Sequence, residues 1–363
     1  MITIQAPYKY LQGPDLMNEF GQHVSHIGKK FLILGSKTII KKKQEAIEKS
    51  FKNENLECEF IQFNGEVTKE EYNRIAEKAK EGSFESIVGL GGGKVIDTAK
   101  AAANVVDLPF ISAPSTASND APCSSLSVIY NDDGHVVDVE FYKHNPALVI
   151  VDSEVISDAP PETLISGMGD ALATYFEARV CYEHGFLNAL GSSISNTAIA
   201  IGQLSYTLLQ ENSYLALRSL DVGVVSQPLE NVIEANTFLS GLGFESGGLS
   251  CAHSIQDALT TIPECHDNTM HGDRVAFGTI CLLILENSWD EVDDVINYCM
   301  EVGLPITLKQ LHITEDVEKK IADILPTAMA EDMPVYNMPP GTTREKMYSA
   351  ILLADKLGKE ALG

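Results

Sequence analysis

Between Phe31 and Asp152 the chain alternates short apolar runs with longer amphipathic stretches. The runs are Phe31-Leu-Ile-Leu-Gly35, Cys58-Glu-Phe-Ile-Gln-Phe63, Ser86-Ile-Val-Gly-Leu90, Pro109-Phe-Ile-Ser-Ala113 and Leu148-Val-Ile-Val-Asp152. Their length suits strands rather than helices, and their hydrophobicity suits strands covered on both faces. The intervening stretches, such as Lys42 to Phe51 and Lys69 to Lys80, have amphipathic helical character. Alternation of this kind predicts a largely parallel α/β sheet. Ser125 to Tyr130 followed by Asn131-Asp-Asp-Gly134 predicts a hairpin appended to it.

After Pro160-Pro161 the periodicity changes to 3.6 residues, over 162–182, 187–210, 229–242, 274–286, 291–302, 314–324 and 343–362, with no convincing strand. A domain boundary is therefore expected near residue 160, with an α/β domain over 1–160 and an all-α domain over 161–363.

The composition agrees with two folded domains. The chain has 363 residues, 44% hydrophobic and 21% charged, which excludes disorder and collagen-like repetition. With 26 basic against 51 acidic residues the net charge is -25, so nucleic acid and anionic membrane are poor partners. The excess is uneven: 16 basic and 23 acidic residues fall in 1–160, but 10 and 28 in 161–363. Such a cation-poor second half is a poor host for a multiply charged anion. Seven scattered cysteines without a C-x-x-C pair read as reduced thiols. With no basic segment leading an apolar stretch at the N-terminus, and no run of about 18 apolar residues, the expected compartment is the cytoplasm.

Two loops carry candidate binding chemistry. The run Ser86 to Leu90 enters Gly91-Gly-Gly-Lys-Val-Ile-Asp-Thr-Ala-Lys100, which opens a helix of small residues. Glycines permit close backbone approach, and the free N–H groups of a helix N-terminus suit a pyrophosphate. A bare Gly-Gly-Gly is also compatible with a tight strand-to-helix turn, and it matches neither G-x-G-x-x-G nor the Walker pattern. The second loop is Pro114-Ser-Thr-Ala-Ser-Asn-Asp-Ala-Pro-Cys-Ser124, at the end of the next apolar run. Ligands of open α/β sheets bind at such carboxyl ends. Its hydroxyls can serve phosphate or carboxamide groups and Asp120 can accept from a substrate hydroxyl, although a Ser/Pro-rich turn with a capping Asp has the same composition.

In the helical half, Asp170 lies in Gly167-Met-Gly-Asp-Ala-Leu-Ala, His253 follows Gly247-Gly-Leu-Ser-Cys-Ala, and His271 opens His271-Gly-Asp-Arg-Val-Ala-Phe-Gly278. Two neutral imidazoles and one carboxylate would hold a divalent ion with one positive charge left over and a position open, as oxidation of an alcohol requires. Taken singly, each histidine reads more readily as a hydrogen-bonded structural residue than as a ligand. Cys251, Cys265 and His266 are competing ligands in the same stretch, and an all-soft set would suggest a closed structural zinc. The Asp/His/His set is preferred because it leaves an open position.

These motifs, with Leu126-Ser-Val-Ile-Tyr130, Glu234-Ala-Asn-Thr237 and Gly243-Phe-Glu-Ser-Gly-Gly248, occur in order along essentially the whole chain. In them the chain resembles the glycerol dehydrogenases of the iron-containing alcohol dehydrogenase and dehydroquinate synthase superfamily. The resemblance implies a Rossmann-like N-terminal domain, an all-α C-terminal domain, and a metal and substrate site in the cleft between them. It implies NAD-dependent oxidation of glycerol, or a related vicinal diol, at the secondary hydroxyl to give dihydroxyacetone. It further implies Zn2+, or another divalent metal, on Asp170, His253 and His271, and a homo-oligomer. Cofactor contacts fall on Ser36, Gly92, Gly93, Lys94, Asp97, Ser115, Ser118, Ser124, Leu126 and Tyr130. Substrate contacts fall on Asp120, Phe244 and His253, and Asp120 joins the metal ligands as a catalytic residue.

Three departures from the family pattern matter. Gly35-Ser36-Lys37 stands where the family usually has an Asp that accepts from the adenosine ribose, so NADP use becomes possible. Ser118-Asn119-Asp120 replaces a common Ser-Thr-Asp, and His266-Asp-Asn-Thr-Met270 replaces a segment that commonly carries aromatics. The enzymatic rivals, glycerol-1-phosphate dehydrogenase and dehydroquinate synthase, need cations near the metal, yet only Arg179 and Arg218 lie between Asp170 and His271. A non-catalytic, metal-stabilised oligomeric scaffold is disfavoured by the intact ligand positions, glycine loop and Asp120.

Overall fold

The structure is a computed structural model that describes residues 1–363 except 133, 332, 339 and 340. Contacts divide the chain into two units: Gln5–Pro160 with Val222–Ser226, and Met1–Ile4 with Pro161–Asp221 and Gln227–Gly363.

The first unit runs β1 (Tyr10–Gly13), α1 (Phe20–Val24), β2 (Lys30–Gly35), α2 (Lys37–Asn53), β3 (Glu57–Gln62), α3 (Lys69–Glu81), β4 (Ser86–Gly91), α4 (Gly93–Val105), β5 (Phe110–Pro114), β6 (Leu126–Tyr130), β7 (Val136–Phe141), β8 (Leu148–Asp152) and α5 (Ser153–Ser157). Six strands form a sheet in the order β1-β8-β5-β4-β2-β3, with every neighbouring pair parallel. Side chains alternate between its faces: Leu32, Leu34 and Ile87 pack with Ile75 and Ile96, while Phe31, Ile33 and Val88 pack with Ile47 and Phe51. The five apolar runs form β2, β3, β4, β5 and β8; four of these are buried, while the edge position of β3 shows in its exposed and half-buried residues. β1 escapes the apolar pattern because it is a four-residue, half-buried edge strand. The expected hairpin forms as the antiparallel pair β6 and β7, but it is a separate two-stranded ribbon rather than part of the large sheet. Residue 133 of its turn lies outside the described residues.

The second unit runs α6 (Pro161–Glu183), α7 (Asn196–Asp221), α8 (Gln227–Glu234), a π turn (Ala235–Leu239), α9 (Ser240–Gly247), α10 (Cys251–Thr260), α11 (Pro263–His266), α12 (His271–Glu286), α13 (Trp289–Val302), α14 (Val317–Ala328), a 3-10 turn (Pro334–Asn337) and α15 (Arg344–Leu362). Its described residues contain only isolated bridges of β type, one of them to Ile2. α7 starts later than the periodicity predicts because the Asn188 side chain accepts from the backbone of Leu190 and Ser192, a local turn that competes with helix. α10 was not anticipated, since it is ten residues long and follows paired glycines.

α6 is mostly apolar and is buried from Leu164 to Cys181 at all but Ile165, Tyr175 and Arg179. It meets α12 backbone to backbone: a Cβ at Gly169 would overlap the Gly272 carbonyl, and one at Gly272 would overlap the Ser166 carbonyl. Only glycine at both positions lets the two helices approach this closely.

Candidate metal centre and dinucleotide edge

That crossing sets the metal centre. Gly169 precedes Asp170 on α6 and Gly272 follows His271 at the start of α12, so the same contact that joins the helices joins the two ligands. His271 Nε2 lies 3.1 Å from Asp170 Oδ1. His253, in the first turn of α10, places Nε2 3.5 Å from the same oxygen. The two imidazole centroids are 5.5 Å apart, and one ligand atom from each of the three residues falls within a 4.8 Å span. Among the described residues no other group of three or more His, Cys, Asp or Glu side chains has this arrangement.

The donor set fits a divalent cation. Asp170 is 1% exposed and its Oδ2 is buried without a hydrogen-bond partner, a cost that a cation would remove. Burial pushes the Asp170 carboxyl up, but attraction to His271 and hydrogen bonds from both imidazoles outweigh it and hold it well below the usual carboxylate range. Burial likewise pushes His253 down, and Glu177 followed by Asp170 reverses this and raises it well above the usual histidine value. Both directions describe a carboxylate-rich pocket that gathers positive charge. The competing set does not assemble: Cys251 and Cys265 are buried thiols, and exposed His266 pairs with Asp267.

Glu177, which the motifs did not single out, is part of this centre. It is fully buried, two turns beyond Asp170 on α6, with Oε2 2.6 Å from His253 Nδ1. Its Oε1 accepts from the backbone N–H of Ser250 at 2.9 Å and of His253 at 3.1 Å. The available signal was its spacing of seven from Asp170, which puts both acids on one face of an otherwise apolar helix.

The second cluster is on the sheet. β5, β4 and β2 are neighbours with Gly91 opposite Pro114 and Gly35 opposite Leu90, so Ser36, Gly92 and Ser115 leave adjacent carboxyl ends. The chain crosses from β3 back to β4 on the other side of β2, which makes this edge a topological switch point. Gly92 caps α4 in extended conformation and Gly93 begins the helix, where a Cβ would overlap the Asn119 amide. Ser36 caps α2, accepting from Ile39 N. A pocket of about 140 Å³ there is lined by Ser36, Thr38, Ile39, Lys42, Lys43, Ser115, Thr116, Val155, Asp158, Ala159 and Pro160. Lys94 Nζ is 2.5 Å from Glu66 Oε2 and 5.0 Å from the Tyr130 ring centroid. Ser118 Oγ is 3.2 Å from Thr116 Oγ1.

Two of the expected cofactor residues, Asp97 and Ser124, make contacts inside the fold. Asp97 is 6% exposed and pairs with buried Lys100 at 3.2 Å, while its other oxygen accepts from Val128 N. Lys100 Nζ also donates to Ser124 Oγ, Ala121 O and Leu126 O. Asp97, Ser124 and the Leu126 carbonyl thus share one ammonium that ties α4 to the loop carrying Asp120. Phe244 is 4% exposed on α9.

A switch-point sheet and an Asp/His/His cation set are the two parts of a metal-dependent dehydrogenase. The pattern of the iron-containing alcohol dehydrogenase family matches residues 7–153. The chain is 43% identical to a glycerol dehydrogenase of Escherichia coli O6:H1, over 99% of this chain and 98% of that protein. It is 37% identical to a glycolaldehyde reductase of Halobacterium salinarum, over 98% of each. The solved glycerol dehydrogenase of Schizosaccharomyces pombe superposes with a TM-score of 0.96 at 31% identity, over 99% of this chain and 92% of that one. The chain belongs to the iron-containing alcohol dehydrogenase family and is an oxidoreductase. No described helix is long and apolar enough to cross a membrane.

Proposed function

We propose that the protein oxidises glycerol, or a related vicinal diol, at the secondary hydroxyl to a hydroxyketone such as dihydroxyacetone, with a nicotinamide dinucleotide accepting hydride. The observation that carries this is the convergence of His253 and His271 on Asp170, with one Asp170 oxygen left buried and unpartnered. The glycerol dehydrogenase relatives supply the substrate class. Asp170, His253 and His271 would hold the cation, which we take to be zinc. When bound, the cation supplies Lewis acidity toward a substrate hydroxyl and the nicotinamide supplies the hydride acceptor.

The chain's own residues do the rest. Asp170 brings one negative charge and the imidazoles none when neutral, so the trio only half-neutralises a divalent ion. Asp120 accepts a hydrogen bond from a second hydroxyl, which selects a diol over a simple alcohol. The glycine loop and the α4 N-terminus receive the pyrophosphate, and Lys94, released from Glu66, adds a cation beside it. Burial of Asp97 with Lys100 supports a role in holding the Asp120 loop rather than touching the cofactor. A neutral substrate is favoured because the two cations between the metal ligands are engaged: Arg179 by Glu286 and Glu291, and Arg218 by Asp221.

On the cofactor, Ser36 brings no carboxylate of its own to the pocket, where Lys42 and Lys43 outnumber the one acid, Asp158, so we propose that NADP is accepted beside NAD. The decisive experiment is an absorbance screen of glycerol, 1,2-propanediol and dihydroxyacetone with both nicotinamides, with and without a chelator. Chelator-sensitive turnover of the diols and of dihydroxyacetone is expected. Turnover that a chelator leaves untouched would overturn the metal mechanism.

A further inference from the structure

Glu177 is an acid in a place that burial alone makes unfavourable, and each of its oxygens has a different task. Oε1 receives both backbone N–H groups, from Ser250 and His253, at the start of α10. Those are orphan donors of a helix N-terminus, and one carboxylate oxygen satisfies them. Oε2 is left entirely to the imidazole, at 2.6 Å from His253 Nδ1. Oε1 already accepts two N–H groups, so the Glu177 carboxyl acts as an acceptor, and its hydrogen bond with the ring places a hydrogen on Nδ1. The far nitrogen, Nε2, is the one that looks at Asp170 Oδ1 across 3.5 Å. α6 therefore grips a single ring from both ends with two acids two turns apart.

We propose that Glu177 is a positioning residue for the metal centre: it fixes the His253 ring so that Nδ1 carries the hydrogen and Nε2 is presented as the ligand atom. This rests on the metal site of the preceding section, but it concerns a residue outside the ligand set. A plain helix cap would need only Oε1. The second oxygen sets ring tautomer and orientation, and loss of such an outer partner typically weakens metal binding about 10- to 100-fold.

The test compares the full-length wild type with Glu177→Gln, a near-isosteric change. The Gln amide cannot serve both tasks, because turning its carbonyl to the ring puts its NH2 against the backbone donors, and the reverse puts NH2 against Nδ1–H. Zinc affinity is measured by competition with a chromophoric chelator, without any turnover. The ring is read by 15N-correlated proton spectra of the zinc-loaded protein, with His253→Ala assigning the signal. The expected results are a zinc dissociation constant about 10- to 100-fold weaker in Glu177→Gln, and a downfield Nδ1 proton in wild type that is lost or shifted in the variant. Unchanged zinc affinity overturns the proposal, and so does a wild-type ring with its hydrogen on Nε2. If Glu177→Gln does not fold, the wild-type spectrum decides alone. If the wild type takes up no zinc, the metal assignment of the preceding section falls, and the Nδ1 proton of the metal-free protein still decides the contact with Glu177.

Discussion

Asp170 shows how far a single residue can be read. A carboxylate between Gly169 and Ala171 on a largely apolar helix faces either a cap or a site, and in the fold it is 1% exposed with two imidazoles on one oxygen. His253 and His271 were legible for a related reason, since each stands in a glycine-flanked segment. Glu177 was not, because Tyr175-Phe-Glu-Ala-Arg179 resembles any helix turn with a polar side and nothing local announces the contact with His253. Asp97 and Ser124 fall in motifs that imply cofactor contacts, and in the fold both bond the Lys100 ammonium. Two residue-level predictions follow. His271→Ala should abolish zinc content and turnover while circular dichroism stays that of the wild type, because the side chain is 37% exposed and carries no core packing; retained metal and activity would remove it from the ligand set. Ser36→Asp should raise the ratio of kcat/KM for NAD over NADP by about tenfold or more, the effect of a carboxylate facing a 2′-phosphate; an unchanged ratio would mean that Ser36 does not meet the ribose.

At the scale of elements, buried strands and long helices were legible where one period dominates, and illegible where a side chain or a neighbour decides. β1 is too short and too polar to register, α7 loses its expected start to the Asn188 turn, and the 229–242 segment is interrupted by the π turn at Ala235–Leu239. The glycines were visible, but their pairing across α6 and α12 is a property of the packed helices. Gly272→Ala should cost about 1–3 kcal/mol by overpacking and should weaken zinc binding, because the helix that moves carries His271. Thermal unfolding with and without zinc checks both, and a variant with wild-type stability would show that the crossing has slack. In the sheet unit, Lys100→Met should cost about 3–5 kcal/mol in urea unfolding, the usual penalty for breaking a buried pair. Burial already raises the Asp97 carboxyl, and Lys100 opposes that rise. In the variant the folded chain keeps the Asp97 proton that the unfolded chain releases. Its stability should therefore fall as pH climbs from the ordinary carboxylate range toward neutrality, more steeply than that of the wild type.

The whole molecule carries a net charge of -25, and that was legible from composition alone. The proposed dinucleotide is an anion that would have to approach it, and Lys42 and Lys43 at the carboxyl edge of the sheet are the local answer, Lys94 being paired with Glu66. Raising NaCl from low to physiological strength should increase thermal stability, since screening relieves self-repulsion. A falling midpoint would show that attractive pairs, such as those of Arg179, dominate instead. The cysteines give this molecule a further property. Six of the seven thiols are buried and Cys58 alone is half-buried, with burial first and Glu48 second pushing the Cys58 thiol up to about 11. Reaction with a thiol reagent must then wait for the chain to open, so the natural sequence already contains a set of clocks for local breathing. Cys251 is the most informative of them, two residues before His253 in the same helical turn. Its labelling rate in metal-free and zinc-loaded protein would time how often the start of α10 lifts off Glu177.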